Sequence, residues 1–265
     1  MNDKKNKTAL ITGASSGIGM SLAAELAANG YHLILMARRE ALLTDWAQFL
    51  ETKYSHLTIK VVVSDVRQFE EHMKQIKEAA SQFESLDLVI ANAGVGYNTI
   101  EDHNTWQGSK DILEINLLGA IATIEAAKDI MLAQGHGHIV GISSMTSVRG
   151  IPQISAYSAS KAGLTTFLES MRTDLIDAKI SVTDVHPGYV ETPMTQDNGK
   201  MPWLISKEKA AQLIYKAIRR KKSRLYFPWQ MLYLNYLARI LPNPIYDLAM
   251  RLLRKKIAAF RKNRN

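Results

Sequence analysis

The stretch TGASSGIG, residues 12–19, decides the fold of this chain. It continues the short apolar run TALIT, residues 8–12, and it opens a segment of helical character. Gly13 can make the tight turn, Gly17 lets a pyrophosphate approach the backbone, and Gly19 permits close packing of the helix on the strand. The spacing differs from G-x-G-x-x-G, so the position after a first strand carries the inference. The turn predicts a phosphate site at a helix N-terminus, as in dinucleotide-binding folds.

Short apolar runs and helical segments alternate along the chain. The runs predicted as strands are 8–12, 31–37, 57–63, 86–91, 137–143, 179–185 and, as a seventh, 224–228. The predicted helices lie near 17–29, 40–52, 68–82, 104–133, 156–177 and 207–221. Strands that are apolar on successive residues are typical of parallel sheets covered on both faces. We therefore expect an α/β fold with a Rossmann-like, doubly wound parallel sheet in one dinucleotide-binding domain, 1–228, followed by a helical tail, 229–265.

The composition and the absence of certain sequence patterns exclude several kinds of site and segment. The chain has 265 residues, of which 46% are hydrophobic, and it contains no cysteine, which excludes disulfides, thiolate metal sites and a cysteine nucleophile. The charged start MNDKKNKTALITG lacks a signal-peptide pattern, and no run reaches about 18 apolar residues. We expect a cytoplasmic protein in a reducing compartment.

The net charge of +8 is concentrated at one end of the chain. Residues 216–265 hold fourteen lysines and arginines against a single acid, Asp247, whereas acids outnumber bases in residues 1–215. Such asymmetry suggests contact with a membrane or a nucleic acid, or a solvated end.

The end of the second strand, MARRE, indicates the cofactor. NAD-binding folds usually place an acid at this position, whereas a 2′-phosphate requires arginine. Here Arg38 and Arg39 follow Ala37, and a guanidinium can hold a phosphate through two hydrogen bonds. The pattern favours NADP(H) over NAD(H), and the alternative is an exposed basic turn.

The stretch SAYSASKAG, residues 155–163, places Tyr157 and Lys161 four residues apart and hence on one helix face. A phenol is a poor acid or base near neutral pH, and a nearby ammonium lowers its pKa. From this stretch alone, an ordinary surface helix remains the alternative.

Together these motifs resemble the classical short-chain dehydrogenases/reductases over about residues 7–228. The matching pieces are TGASSGIG, SDV at 64–66, ANAG at 91–94, Asn116 in EINLLGA, ISS at 142–144, YSASK at 157–161 and HPGYVETPM at 186–194. Two departures occur, Ala91 and Gly141, where the family often has asparagine, and neither removes a catalytic side chain. The resemblance implies an oxidoreductase of the carbonyl reductase or alcohol dehydrogenase type.

The resemblance also implies roles for four side chains. Tyr157 is the expected general acid in reduction and base in oxidation, and Lys161 lowers its pKa and holds the nicotinamide ribose. Ser144 is expected to bond the substrate oxygen, with Ser143 the weaker candidate. Asn116 is expected to hold a water that links Lys161 to solvent.

The implied cofactor contacts follow the strand ends, where open α/β sheets bind ligands. They are Gly13, Ser15, Ser16, Gly17, Ile18, Gly19, Arg38, Arg39, Asp65, Val66, Asn92, Ala93, Gly94, Tyr157, Lys161, Pro187, Gly188, Val190 and Thr192. The substrate contacts are expected to be Ser144, Met145, Tyr157 and Met194. No metal is expected, because HGH at 136–138 lacks a third ligand, and His186 is interpreted as a local hydrogen-bonding residue.

The substrate is the least defined feature. The loop 191–206 carries Met194, Met201, Trp203 and Leu204, and it either covers an apolar substrate or packs on its own core. A dinucleotide-binding redox sensor without turnover is the alternative function, although a complete set of catalytic side chains argues against it.

The tail is predicted to form two helices, about 229–241 and 245–261, broken at Pro242 to Pro244. Its apolar residues and flanking cations fit a helix on an anionic membrane surface, or packing on the protein itself or on a partner subunit. Nucleic acid is not expected, because the interleaved residues are mostly aliphatic. The resemblance further implies a homodimer or homotetramer through helices near 104–133 and 156–177.

Overall fold

The computed structural model describes residues 7–96, 105–196 and 201–262, with side chains described as far as Leu252. Seven parallel strands form one sheet in the order β3-β2-β1-β4-β5-β6-β9, and β7 pairs with β8 separately. The strands are β1 (Thr8–Thr12), β2 (His32–Ala37), β3 (Ile59–Val63), β4 (Leu88–Ala91), β5 (Gly137–Ile142), β6 (Ile180–Pro187), β7 (Val190–Glu191), β8 (Ile205–Ser206) and β9 (Arg224–Phe227). The predicted Rossmann-like parallel sheet is confirmed.

Helices cover both faces of this sheet. They are α1 (Gly17–Ala28), α2 (Glu40–Lys53), α3 (Phe69–Ala80), α4 (Trp106–Leu113), α5 (Gly119–Gln134), α6 (Ser155–Asp174), α7 (Lys207–Arg219), α8 (Trp229–Ile240) and α9 (Asn243–Lys262). Alternate strand residues point to opposite faces, so Ala9 and Ile11 pack with α1, α2 and α7, whereas Leu10 packs with α3, α5 and α6. Two apolar cores result, one on each face of the sheet.

The strand order reverses at β1, which lies between β2 and β4. The loops after β1 and β4 therefore leave the sheet in opposite directions and open a crevice at its carboxyl edge. The glycine-rich turn and the ANAG motif both lie at this edge, because each directly follows its strand.

The predicted helix near 104–133 is interrupted in the structure, and its first residue, 104, lies outside the described residues. After α4, residues Glu114–Leu118 form a π-helical turn before α5 begins. Such turns are rare and often occur at functional sites. Asn116 lies in the middle of this turn, which the sequence periodicity did not indicate.

The two departures from the family pattern are neighbours in the sheet, where Ala91 of β4 pairs with Gly141 of β5. A Cβ atom at Gly141 would lie 2.4 Å from Cδ1 of Leu168 on α6. Glycine at this position therefore allows α6 to pack closely on the sheet.

The tail forms the two predicted helices, α8 and α9, separated at Pro242. Arg149, in the segment between Ser144 and α6, donates to the carbonyl oxygens of Ala238 and Leu241, the latter at 2.9 Å, at the end of α8. Its guanidinium also covers the Tyr246 ring at 3.7 Å, and the Tyr246 hydroxyl donates to the Gly150 carbonyl at 2.6 Å. The tail is thus anchored to the segment that carries the predicted substrate contacts.

Candidate active site

The ANAG motif braces the glycine-rich turn. Thr12 Oγ1 accepts the backbone N–H groups of Asn92 and Ala93, each at 3.1 Å, and Asn92 Nδ2 donates to the Thr12 carbonyl at 2.9 Å. Gly13 has a φ of +68°, and a Cβ there would lie 2.8 Å from Cα of Ala93. The turn therefore needs glycine both for its conformation and for this contact.

The start of α1 fits a phosphate. Ser16 is the N-cap residue, but its side chain makes no cap hydrogen bond, and the first turn holds no acid. The N–H groups of that turn are thus suited to an anion. Arg39 donates to the hydroxyls of Ser15 at 2.9 Å and Ser16 at 2.7 Å, which adds positive charge beside the turn. Gly17, with a φ of +56°, also lies against Thr192, since a Cβ there would be 3.2 Å from Thr192 Cγ2.

Arg38 and Asp65 lie at the neighbouring strand ends. Arg38 is exposed and approaches the Asp65 carboxylate at 3.9 Å, whereas Arg67 donates to it from Nη2 at 2.7 Å and from Nε at 3.1 Å. Partial burial would raise the pKa of Asp65, but the hydrogen bonds and charge of Arg67, aided by Arg38, hold it below its usual value. Asp65 therefore stays ionised, and Arg38 is bound to it only loosely.

Lys161 shares one face of α6 with Tyr157, as predicted, and the structure shows that Lys161 is buried. Its Nζ atom donates to the Ile142 carbonyl at 2.8 Å and lies 5.9 Å from the centre of the Tyr157 ring. Burial lowers the pKa of Lys161 to about 8, although the charge of Asp184 opposes that shift. The Lys161 ammonium beside the phenol therefore loses its proton at a pH much closer to neutral than an exposed lysine does.

Asn116 reaches the same region from the π-helical turn. Its amide accepts from the Val95 N–H at 2.8 Å and donates to the Val95 carbonyl at 2.9 Å. A Cβ atom at Gly94 would lie 3.3 Å from Asn116 Oδ1 and 3.6 Å from Lys161 Nζ. The structure therefore brings Asn116 and Lys161 together on one side of Gly94, and the water between Asn116 and Lys161 stays a prediction.

The two serines after β5 have different environments. Ser143 Oγ donates to the Lys161 carbonyl at 3.0 Å and lies 2.8 Å from Thr165 Oγ1, which ties β5 to α6. Ser144 Oγ accepts the Thr146 N–H at 3.2 Å. That bond does not use the Ser144 hydroxyl proton, so Ser144 is the serine that can donate to a substrate oxygen.

A buried pair on β6 was not predicted from the sequence. His186 Nε2 lies 2.7 Å from Asp184 Oδ2, and both side chains are buried. The contact with Asp184, two residues away, agrees with the interpretation of His186 as a local hydrogen-bonding residue, and its ring also reaches the Ser144 carbonyl. The available signal was the alternation TDVHP, which places two ionisable residues on one face of a central strand.

Two of the predicted substrate contacts, Met145 and Met194, have different surroundings in the structure. Met145 is buried, whereas Met194 packs against Gly96, where a Cβ would lie 2.7 Å from Met194 Cγ. Residues 197–200 of the loop 191–206 lie outside the described residues. Among the remaining predicted contacts, Val66 and Val190 are buried, Gly188 donates its N–H to the Phe227 carbonyl at 2.7 Å, and Pro187 ends β6.

A cavity of about 770 Å³ lies between α6 and α9, and Ile151 lines it together with Ala159, Tyr246 and Met250. The α6 residues that line it, which also include Ser155 and Ser158, belong to a different face from Tyr157 and Lys161. This volume is therefore separate from the candidate reaction site.

The seven-stranded parallel sheet, with a glycine-rich turn at its switch point, defines a Rossmann-like fold. Residues 7–203 match the family model described as short chain dehydrogenase. An uncharacterized oxidoreductase of Myxococcus xanthus is 38% identical over 255 residues, which cover 96% of this chain and 100% of that protein. The chain belongs to the short-chain dehydrogenase/reductase family of oxidoreductases.

Solved structures agree with this assignment. An alcohol dehydrogenase from Thermococcus sibiricus complexed with 5-hydroxy-NADP is similar with a TM-score of 0.74 and 27% identity, over 84% of this chain and 94% of that one. A short-chain dehydrogenase/reductase from Burkholderia phymatum in complex with NAD has a TM-score of 0.79 and 21% identity, over 90% and 94% of the two chains. The second likeness supports the fold alone.

Proposed function

We propose that this chain is an NADP(H)-dependent oxidoreductase that transfers a hydride between the nicotinamide and an apolar ketone or alcohol. The observation that carries the proposal is Lys161, buried with its Nζ atom 5.9 Å from the Tyr157 ring, at the sheet edge that holds the glycine-rich turn. A buried ammonium beside a phenol is costly for folding and is expected where chemistry requires it. When bound, the nicotinamide supplies or accepts the hydride.

In the proposed reaction the side chains handle the proton and the substrate oxygen. Tyr157 donates its phenolic proton to that oxygen in reduction and removes it in oxidation. Lys161 stabilises the phenolate by its charge, and Ser144 donates its hydroxyl proton to the same oxygen. Asn116 positions the loop after β4 through Val95, next to Lys161.

The test is NADPH consumption with a panel of long-chain 3-keto lipids, steroids, quinones and simple aldehydes. Tyr157→Phe should abolish turnover while NADPH binding is retained, whereas Tyr215→Phe, on α7, should leave turnover unchanged. Substantial residual activity in Tyr157→Phe would remove Tyr157 from its role. Binding of NADPH without turnover across the panel would favour the redox sensor.

The preference for NADP(H) is proposed from the positive charge at the end of β2. Arg39 bonds the serines of the glycine-rich turn, and the exposed Arg38 lies beside it. Arg38→Asp should weaken NADPH binding about tenfold or more and spare NADH, because a charged hydrogen bond contributes about 1.5–3 kcal/mol. Lys53→Asp makes the same change in charge at the far end of α2 and serves as the control. An unchanged ratio of NADPH to NADH affinity in Arg38→Asp would refute the preference.

An apolar substrate is proposed from the loop before α7. Trp203 and Leu204 are each 42% exposed, and Met194 of the same loop packs against Gly96 near the end of β4. Large apolar side chains exposed beside a site are suited to cover an apolar ligand. Within the panel, kcat/KM should therefore rise with the apolar area of the carbonyl compound, and a preference for small polar carbonyls would contradict this.

We propose that α8 and α9 lie on an anionic membrane surface at the cytoplasmic side. The exposed large side chains of α8 are Trp229, Tyr233, Leu234, Tyr236, Leu237 and Ile240. The spacing places all of them except Leu234 on one helix face, and Ile245, Leu248 and Leu252 are likewise exposed on α9. Among the described residues, no helix combines the length and apolarity needed to cross a membrane.

The sequence surrounds these apolar faces with positive charge. The second helix of the tail carries the cations Arg251, Arg254, Lys255, Lys256, Arg261 and Lys262, and the side chains of all but Arg251 lie outside the described residues. Positive charge next to exposed aromatic and aliphatic residues is complementary to anionic headgroups above acyl chains.

The test is sedimentation with phosphatidylcholine vesicles that contain or lack phosphatidylglycerol. Binding should require the anionic lipid, weaken with salt, and fall about tenfold in Ile240→Ser. Trp106→Ser removes an exposed aromatic residue from α4 and should leave binding unchanged. If Ile240→Ser instead changed only the oligomeric state, a second copy of the chain would be the occupant of this face.

A homodimer or homotetramer is proposed from family membership, with α4, α5 and α6 at the interface. Light scattering on the purified chain tests it, and a monomer at all concentrations would contradict it.

A further inference from the structure

The pair formed by Asp184 and His186 lies behind the candidate reaction site. Both residues are on β6, two positions apart and hence on the same side of the strand. His186 is 1% exposed and Asp184 is 3% exposed. Burying two ionisable side chains in a central strand is costly unless they are paired, and Nε2 lies 2.7 Å from Oδ2.

The other nitrogen of His186 faces the segment that carries Ser144. Nδ1 lies 3.2 Å from the Ser144 carbonyl oxygen and 3.0 Å from Ser147 Oγ. Ser147 Oγ donates its single proton to the same carbonyl at 2.7 Å. Nδ1 therefore faces a carbonyl oxygen, which only accepts, and a hydroxyl whose proton is already used. The hydrogen bonds are satisfied only if Nδ1 itself carries a proton.

We propose that His186, held by Asp184, is a positioning residue that donates its Nδ1 proton to the Ser144 carbonyl and so fixes Ser144 for the reaction. The Ser144 carbonyl then accepts from both His186 and Ser147, and these two bonds hold the backbone of Ser144 in place. The Thr146 N–H donates to the Ser144 hydroxyl and so fixes its direction. Small displacements of a substrate-orienting group are costly in rate, so a fixed backbone at Ser144 matters for turnover. This inference rests on the proposed function for its kinetic readout only.

Aromatic and cationic side chains on the neighbouring elements lie around the pair. Tyr226 on β9 stacks on the His186 ring at 4.2 Å between ring centres, and Arg224 lies on the same strand. From α6, Lys161 is the charged group whose pKa Asp184 raises. Asp184 Oδ1 is buried and makes no hydrogen bond within the described residues. The contact with His186 is therefore the main compensation for that carboxylate, and losing the imidazole alone would leave a buried charge.

The first measurement is the protonation state of His186 by NMR of the ¹⁵N-histidine-labelled full chain. We expect Nδ1 of His186 to carry a proton at pH 7. This expectation is the same whether the proton in the contact between Nε2 and Asp184 lies on the imidazole or on the carboxylate. Observation of the tautomer with a proton on Nε2 alone would overturn the proposal. This readout is independent of turnover, so it stands even if no carbonyl compound in the panel is reduced.

The second measurement compares two variants whose side chains at position 186 have the same branched skeleton of four heavy atoms. Asp184→Ala with His186→Asn removes the charge yet keeps an N–H donor near the Nδ1 position, whereas Asp184→Ala with His186→Leu removes both. With the panel compound that the wild type reduces fastest, kcat of the leucine variant should be about tenfold to a hundredfold below that of the asparagine variant, with KM for NADPH equal.

Equal kcat values in the two variants would overturn the proposal, because only the asparagine variant keeps the N–H donor that the proposal requires. His138→Leu is the matched control, since His138 is also buried and bonds Thr183 at 2.8 Å from the neighbouring strand β5. It should lower stability without changing kcat.

Discussion

Replacement of Lys161 by methionine should stabilise the cofactor-free chain. The pKa of Lys161 is lowered from 10.5 to about 8 by burial, so the folded chain binds fewer protons than the unfolded chain between these values. The cost of burying the ammonium is then about 3 kcal/mol at pH 7 and falls to about half of that at pH 9.5. Methionine removes that cost but also the hydrogen bond to the Ile142 carbonyl, which contributes about 1 kcal/mol.

The expected net gain of Lys161→Met is therefore about 2 kcal/mol at pH 7 and less than about 1 kcal/mol at pH 9.5. Urea denaturation of the cofactor-free wild type and variant at both pH values measures it, with the exposed Lys53→Met as the control for loss of a surface charge. A gain that is absent at pH 7, or that is equal at both pH values, would refute the reasoning. Turnover should be lost in the same variant, because stability and catalysis make opposite demands on this residue.

Three further predictions concern other parts of the molecule. Arg149→Met removes the contacts that anchor the tail, worth about 3 kcal/mol, so amide hydrogen exchange in α8 and α9 should accelerate by about a hundredfold while that of β1 is unchanged. Burial lowers the pKa of His72 to about 4, so stability should fall by about 2 kcal/mol from pH 7 to pH 4.5, and His72→Gln should reduce that loss in urea titrations; an unchanged slope would exclude His72 as a cause. Gly141→Ala should lower the melting temperature and cost about 1–3 kcal/mol, with partial recovery in combination with Leu168→Val; a neutral Gly141→Ala would show that α6 adapts freely.

The fold was predictable because its signals are local. The strands were predicted from apolar residues at successive positions, and the helices from the helical periodicity of the segments between them. Both patterns extend over a few residues, and all seven predicted strands occur in the sheet. The exception is the interval 114–118, where the backbone adopts a π-helical turn that no pattern in EINLL indicated. That turn places Asn116 on the Val95 backbone, a contact across 21 residues of chain.

The sequence by itself determined the class of fold, the glycine-rich turn and the shared helix face of Tyr157 and Lys161, because each depends on backbone geometry over one turn or one strand. The tertiary structure alone decided how deeply Lys161 is buried and therefore the direction of its pKa shift. It also decided that His186 reaches the Ser144 carbonyl across 42 residues and that Tyr246 reaches Gly150 across 96. Such contacts depend on which strands are neighbours and on how the tail folds back, and local periodicity carries no information about either.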